Sequence, residues 1–232
     1  MKSVAIIQSN YIPWKGYFDI INDSDIFIFL DDVQYTTRDW RNRNKIKTDN
    51  GLKWLTIPVG NNTNRLINEV TIGNQEWKKD HWETIKFFYQ KAKFFNMYKD
   101  IFEEIYLDKE WDSLSIFNQS VIKIISREIL GIKHTKFIDS SFLESKGKKD
   151  EKLIDLIKSV NGGLYISGPA AESYINNDLF QKSNIKLVYK DYSNYPVYDQ
   201  FHPPFEHGVT ILDLIFHTGP DAPYYIWGWR EK

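Results

Sequence analysis

Hydrophobic positions in this chain fall into short blocks with two rhythms. Residues 4–8 (VAIIQ) and 26–30 (IFIFL) are continuous apolar runs, the pattern of strands buried on both faces. Between them Pro13 blocks continuation, and residues 16–22 place Tyr17, Ile20 and Ile21 at helical spacing before the turn cluster Asn22-Asp23-Ser24-Asp25. Strand, short helix and strand predict a βαβ unit, whose crossover is right-handed and whose strands are parallel.

Residues 52–59 (LKWLTIPV) and 69–72 (EVTI) also carry strand character, separated by the loop Gly60-Asn61-Asn62-Thr63-Asn64. Residues 76–91 and the stretch 97–106 read as helices. In residues 113–130 Leu114, Phe117, Val121, Ile124 and Ile125 form one stripe, with Gly131 as the stop. Residues 145–152 (SKGKKDEK) are a polar joint. Beyond it, Leu153, Ile154, Ile157 and Val160 mark a helix ended by Gly162-Gly163. Residues 164–167 and 185–192 are strands around a turn and short helix at 168–175, and residues 209–216 form a last apolar helix.

The pattern predicts an α/β fold: a mostly parallel sheet that starts with a βαβ unit, plus a helical sub-lobe in the middle of the chain. Residues 1–75 form an N-terminal α/β half carrying most of the site, residues 76–145 the helical sub-lobe, and residues 146–232 a C-terminal half completing the same domain.

Composition narrows the function classes. Apolar residues make up 42% and charged residues 26% of 232 residues, the balance of an ordinary globular domain. A net charge of −1 gives no field for genomic nucleic acid or an anionic membrane. Zero cysteines exclude disulfides, cysteine-ligated zinc and a cysteine nucleophile. No apolar run approaches the roughly 18–20 residues that span a bilayer, and the amino terminus lacks a signal-type cleavage site; a cytoplasmic protein without a membrane partner is expected. Aromatics reach 16%, with 8 Trp and 14 Tyr, enough both to fill a core and to wall a sugar or base site.

In parallel sheets ligands gather outside the carboxyl ends of strands, so the polar and aromatic groups there are the first candidates: Gln8, Asn10, Tyr11 and Trp14 after the first strand, Asp31, Asp32, Gln34 and Tyr35 after the second. Either aspartate can serve as general base or ligand. Adjacent residues on a strand point to opposite faces, so one of the two is expected to face the site. In Trp40-Arg41-Asn42-Arg43-Asn44-Lys45, an extended backbone puts Arg41, Arg43 and Lys45 on one face, a cationic row suited to a diphosphate. Ser167-Gly168-Pro169 is a strand-to-helix turn whose free N–H groups can take an anion. Tyr165 stands where a nucleophile elbow would need glycine. His81 is a lone histidine near a helix start. His202, His207 and His217 match no zinc spacing, and neither G-x-G-x-x-G nor a P-loop is present. Tyr198, in the Tyr195-Pro196-Val197-Tyr198 loop, is a candidate stacking wall.

Taken in order, Gln8-Ser9-Asn10-Tyr11-Ile12-Pro13-Trp14-Lys15-Gly16-Tyr17-Phe18-Asp19, Leu30-Asp31-Asp32-Val33-Gln34-Tyr35, Trp40-Arg41-Asn42-Arg43-Asn44-Lys45, Trp54-Leu55-Thr56-Ile57-Pro58-Val59, Tyr165-Ile166-Ser167-Gly168-Pro169-Ala170, Tyr195-Pro196-Val197-Tyr198 with Gln200, and Ile211-Leu212-Asp213-Leu214-Ile215-Phe216 resemble the WbqC-like family nearly end to end. Two departures stand out: Ile7 and Ser9 replace the His and Pro that often flank the first Gln, and His217 stands where members often carry Asn. A mechanism resting on that histidine is closed to this chain.

The resemblance implies a setting in bacterial surface-polysaccharide (O-antigen, lipopolysaccharide) assembly. It implies a transferase that attaches an aminoacyl group, often glycyl, to the amine of a nucleotide-linked 4-amino-4,6-dideoxyhexose such as a dTDP sugar. Asp31, Asp32 or His81 would take the ammonium proton. Gln8, Asn44 or the Gly168 turn would stabilise the oxyanion. Arg41, Arg43 and Lys45 would hold the diphosphate, and Tyr11, Trp14 and Tyr198 would line base or sugar. The cofactor stays open: the donor is a carrier-protein thioester, an aminoacyl-tRNA or an ATP-activated amino acid, which makes an acyl or peptidyl carrier protein a candidate partner. Two rival readings are a nucleotidyltransferase of HUP-like fold, lacking an HxGH-like pair near Pro13–Gly16, and a non-catalytic nucleotide-sugar-binding subunit.

Overall fold

A computed structural model describes residues 1–231. The chain runs through β1 (Lys2–Ile7), α1 (Lys15–Asn22) and β2 (Ile26–Phe29) into an antiparallel hairpin of β3 (Arg43–Thr48) and β4 (Gly51–Thr56). Three helices follow, α2 (Glu76–Tyr89), α3 (Phe95–Glu103) and α4 (Leu114–Ile124). The chain then returns through β5 (Lys136–Asp139), α5 (Asp150–Ser159), β6 (Gly162–Ser167), α6 (Asn177–Lys182), β7 (Lys186–Tyr189) and α7 (Ile211–Thr218). Five strands form one parallel sheet in the order β5-β2-β1-β6-β7. The fold is α/β, with helices in the middle of the chain. No helix among the described residues is long and apolar enough to cross a membrane.

Alternation along the strands explains why apolar runs, rather than half-polar ones, build this sheet. Val4, Ile6, Ile26 and Ile28 point to one face, where Ile154, Leu156 and Ile157 of α5 and Phe180 of α6 cover them. Ala5, Phe27 and Phe29 point to the other face, against Ile20 and Ile21 of α1, Leu212 and Ile215 of α7 and the aromatic side chains of α2 to α4. Each fully buried Phe or Ile contributes about 1.5–3 kcal/mol. With both faces covered, β1 and β2 have no room for polar side chains until they end. Their first polar groups therefore emerge together at the carboxyl edge.

Several elements differ from the sequence reading, each for a local reason. β5, which the hydropathy pattern did not mark, is an edge strand of four residues beside β2; four residues are too few to register a period. Residues 69–72 form no strand: Ile67–Glu69 is a 3-10 turn and Thr71 makes a single bridge to Ser113, while Val70 and Ile72 are buried from this irregular backbone. The third and fourth helices end in π turns, Glu104–Asp108 and Ile125–Ile129. Gly162 begins β6 instead of stopping a helix, since Asn161 takes the left-handed turn (φ 57°). A Cβ on Gly162 would lie 2.5 Å from Val4 Cγ2, so glycine lets β6 pair closely with β1.

Candidate functional site at the carboxyl edge

Chain direction reverses across the sheet between β1 and β6. From β1 the chain steps outward to β2 and β5; from β6 it steps the other way to β7. Such a switch point opens a crevice beyond the carboxyl ends of the two central strands. Here it is a cleft of 600 Å³. Gln8 lines it from the end of β1, Leu30 and Val33 from the end of β2, Ser167 and Gly168 from the end of β6, and Lys149 and Lys152 from the start of α5. The tips of β1 and β2 thus share one space, and the Ser167-Gly168 turn opens onto it.

The two aspartates at the end of β2 take different surroundings. Asp31 is fully buried and accepts from the Ser9 backbone N–H at 2.8 Å, the Ser115 hydroxyl at 2.5 Å and the Gln119 amide at 3.1 Å. Gln119 also donates to Asp139 at 2.6 Å. Asp31 therefore fastens the loop after β1 to α4. Asp32 lies beside the cleft, 2.6 Å from the ammonium of Lys152, which lines it, and 2.5 Å from the Ser140 hydroxyl. Of the pair, Asp32 keeps access to solvent, with a side-chain exposure of 21%.

Arg41 knits the first loop together. Its guanidinium donates to Gln8 Oε1 at 2.6 Å, to Asn10 Oδ1 at 3.3 Å and to Asp39 at 3.3 Å, which leaves the Gln8 Nε2 amide free toward the cleft. Arg43 and Lys45 share the other face of β3, lying 4.2 Å and 5.0 Å from the Trp54 ring. The cationic row is thus divided: Arg41 is bonded to Gln8 of the cleft lining, and Arg43 and Lys45 belong to an indole-covered face of the hairpin. Next to Arg41 a second cavity of 280 Å³ is lined by Asn10, Pro13, Trp14, Trp40, Asn44 and Gly208.

Other predicted residues lie away from the cleft. His81 is buried against Tyr11 and Trp77, whose rings both pack on Phe117. Its Nδ1 is 2.7 Å from the Tyr11 hydroxyl, which in turn meets the Tyr106 hydroxyl at 2.7 Å. Burial lowers the His81 pKa to about 4 and raises that of Tyr11 well above its usual value. Asn44 spends its amide on the Tyr11 and Ile12 carbonyls, at 3.0 and 2.7 Å, holding the loop in shape. Tyr35 is buried, with Arg65 over its ring, and Gln34 is exposed and donates to Thr63. Tyr198 donates to the buried Asp213 at 2.6 Å, in a network with Tyr89 and Gln200. Among the described residues no group of three or more histidine and carboxylate side chains is arranged to hold a metal ion.

The sequence reading passed over Lys149 and Lys152, which it treated as part of a polar joint, and over Ser115, Gln119 and Trp40. The signal for the lysines was their position at the start of a helix following a strand. Asp31's partners on α4 lie more than 80 residues away in the chain, beyond any local pattern.

The profile described as the WbqC-like protein family matches residues 8–225. A protein of Mycobacterium tuberculosis described as the uncharacterized protein Rv1507c is 42% identical over 228 residues, covering 97% of this chain and 98% of that one. No solved structure matches.

Proposed function

The chain belongs to the WbqC-like protein family, and from that premise we propose that it is an N-acyltransferase that attaches an aminoacyl group, glycyl foremost, to the amine of a nucleotide-linked 4-amino-4,6-dideoxyhexose used in surface-polysaccharide assembly. One observation carries the reading. Gln8 and the Ser167-Gly168 turn line the switch-point cleft, and the Asp32 carboxylate lies beside it, paired with Lys152 of the lining.

Those are the parts the chemistry requires. A sugar ammonium must lose its proton before its nitrogen lone pair can attack an acyl carbon, and Asp32, beside the cleft and the solvent-accessible one of the two aspartates after β2, is the group to take it. The Gln8 amide and the Gly168 turn are the donors for the oxyanion of the tetrahedral intermediate. Lys152 holds Asp32 in place. The new amide forms as the bond from the acyl carbon to its activating group breaks. With no cysteine in the chain and no nucleophile elbow, the transfer is direct rather than through an acyl-enzyme.

The test is mass spectrometry of a thymidine-diphosphate 4-amino sugar incubated with the protein and glycine in each activated form. A gain of one glycyl residue supports the reading; an unchanged mass with every donor overturns it. The strand order favours one second reading. Counted among the parallel strands alone, it is 3-2-1-4-5, as in the first five strands of doubly wound nucleotide-binding folds. Pyrophosphate released from a nucleoside triphosphate in the presence of the sugar phosphate would select nucleotidyl transfer instead.

A further inference from the structure

The cavity beside Arg41 has walls that the acyl-transfer chemistry does not use. Trp14 is clamped from three sides. Tyr192 and Tyr195 meet its ring edge-on at 5.1 and 6.1 Å, and Gly16 lies so close beneath it that an added Cβ would fall 2.3 Å from the indole. Trp40 also lines the cavity, 41% exposed and backed by Trp54 at 5.4 Å with a 36° tilt. Two large aromatic side chains kept half-exposed on one hairpin face are not core residues.

Cations crowd this aromatic face, and of the three only Arg41 has a carboxylate partner. The Lys45 ammonium lies 5.6 Å from the Trp40 ring and 5.0 Å from the Trp54 ring. Arg43 lies against Trp54. Among the described residues neither is in an ion pair, and the only one here is Arg41 with Asp39. The Nε groups of Arg41 and Arg43 are buried without an acceptor. Asn10 gives its Oδ1 to Arg41, which leaves its amide N–H₂ as a free donor in the cavity lining. Rigid indole walls, a single amide donor and unpaired cations at the rim describe a receptor for a planar, carbonyl-bearing ring that carries phosphate.

We propose that the cavity between Trp14 and Trp40 is a nucleoside-diphosphate subsite. The base stacks in the slot, Asn10 donates to a ring carbonyl, and Arg41, Arg43 and Lys45 take the diphosphate. At 280 Å³ the slot has room for a nucleobase. Gln8 of the cleft and Asn10 of the slot are both held by Arg41, so an extended ligand lying across Arg41 reaches both spaces. The assignment deepens the acyl-transfer reading by locating what the amino sugar is attached to, and it rests on that reading only for the identity of the sugar.

Titration calorimetry of the full chain with dTDP, UDP, thymidine and inorganic pyrophosphate tests the slot. The expected result is binding of dTDP or UDP more tightly than thymidine or pyrophosphate alone. Trp40→Ala is expected to weaken it on the order of 10-fold, as loss of one base-stacking partner does, with Trp40→Phe restoring most of it. Lys45→Met is expected to weaken it and to flatten its dependence on salt. Trp40 and Lys45 lie outside the core, and an unchanged melting temperature serves as the folding control. The proposal is overturned if neither diphosphate binds at millimolar concentration, or if Trp40→Ala and Lys45→Met bind as the wild type does. Failure here is separable from failure of the chemistry. Tight dTDP binding without any acyl transfer keeps the slot and removes the reaction; turnover with an unchanged KM in Trp40→Ala keeps the reaction and removes the slot.

Discussion

His81 offers a sharp test of how this fold uses its aromatic core. The side chain is buried beside Tyr11 and Trp77, and burial lowers its pKa to about 4. In the unfolded chain an imidazole titrates near about 6.5. The unfolded state therefore binds a proton first as pH falls. The stabilisation is complete above about pH 6.5, is lost through the window down to about pH 4, and changes no further below it. Linkage between those two values removes about 2.5 kcal/mol by pH 4.5. Urea denaturation between about pH 7.5 and 4.5 reads this loss as a falling midpoint. His81→Gln keeps an acceptor or donor for the Tyr11 hydroxyl but does not titrate, so its stability is expected to vary far less over the same range, while its transfer activity matches the wild type. Parallel pH slopes for the two proteins would refute the argument, because the acid sensitivity would then arise elsewhere.

Three further substitutions follow from buried polar groups. Asp31→Asn sets an amide against three donors, the Ser9 N–H, the Ser115 hydroxyl and the Gln119 amide; a loss of about 2–3 kcal/mol is expected, read by thermal denaturation. Asp19 is fully buried and bonded to Lys190, Arg230 and the Tyr195 hydroxyl. Asp19→Asn leaves the buried Lys190 ammonium with only the half-exposed Asp23, and a cost of about 3–5 kcal/mol is expected in the same assay. Arg41→Ala frees Gln8 and Asn10 together, so a rise in KM for the amino sugar is expected, with a lower melting temperature as well because the side chain is only 13% exposed and ties the loop after β1 together.

Much of the sheet was legible because its strands are buried on both faces. The runs IFIF of β2 and VAII of β1 admit no polar residue, and a strand of that kind has to end where polarity begins. That made the carboxyl edge visible before any coordinates. β5 (KFID) escaped since an edge strand is open on one side and tolerates Lys136 and Asp139. Local pattern said that Asp31 and Asp32 differ, but their assignment depended on Ser115, Gln119 and Lys152, far off in the chain. Tyr11 looked like a site residue because it is an aromatic group just past the end of β1, and His81 because an imidazole can move a proton. Their hydroxyl–imidazole chain with Tyr106 instead satisfies polar tips inside an apolar cluster, a use that sequence spacing does not reveal. The cationic row was legible as a row, yet Arg41 lies before the start of β3 and so escapes the strand's alternation.

The central claim is that chemistry occurs in the crevice beyond β1 and β6. Gly168 lines the cleft, and a Cβ added there would meet nothing nearer than the Tyr192 hydroxyl at 4.0 Å, so Gly168→Trp places an indole at the edge of the crevice. Glycyl transfer to the thymidine-diphosphate amino sugar, followed by product mass for the wild type and this variant at equal folded concentration, is the direct measurement. The account predicts product from the wild type and none from Gly168→Trp; equal product from both would contradict it.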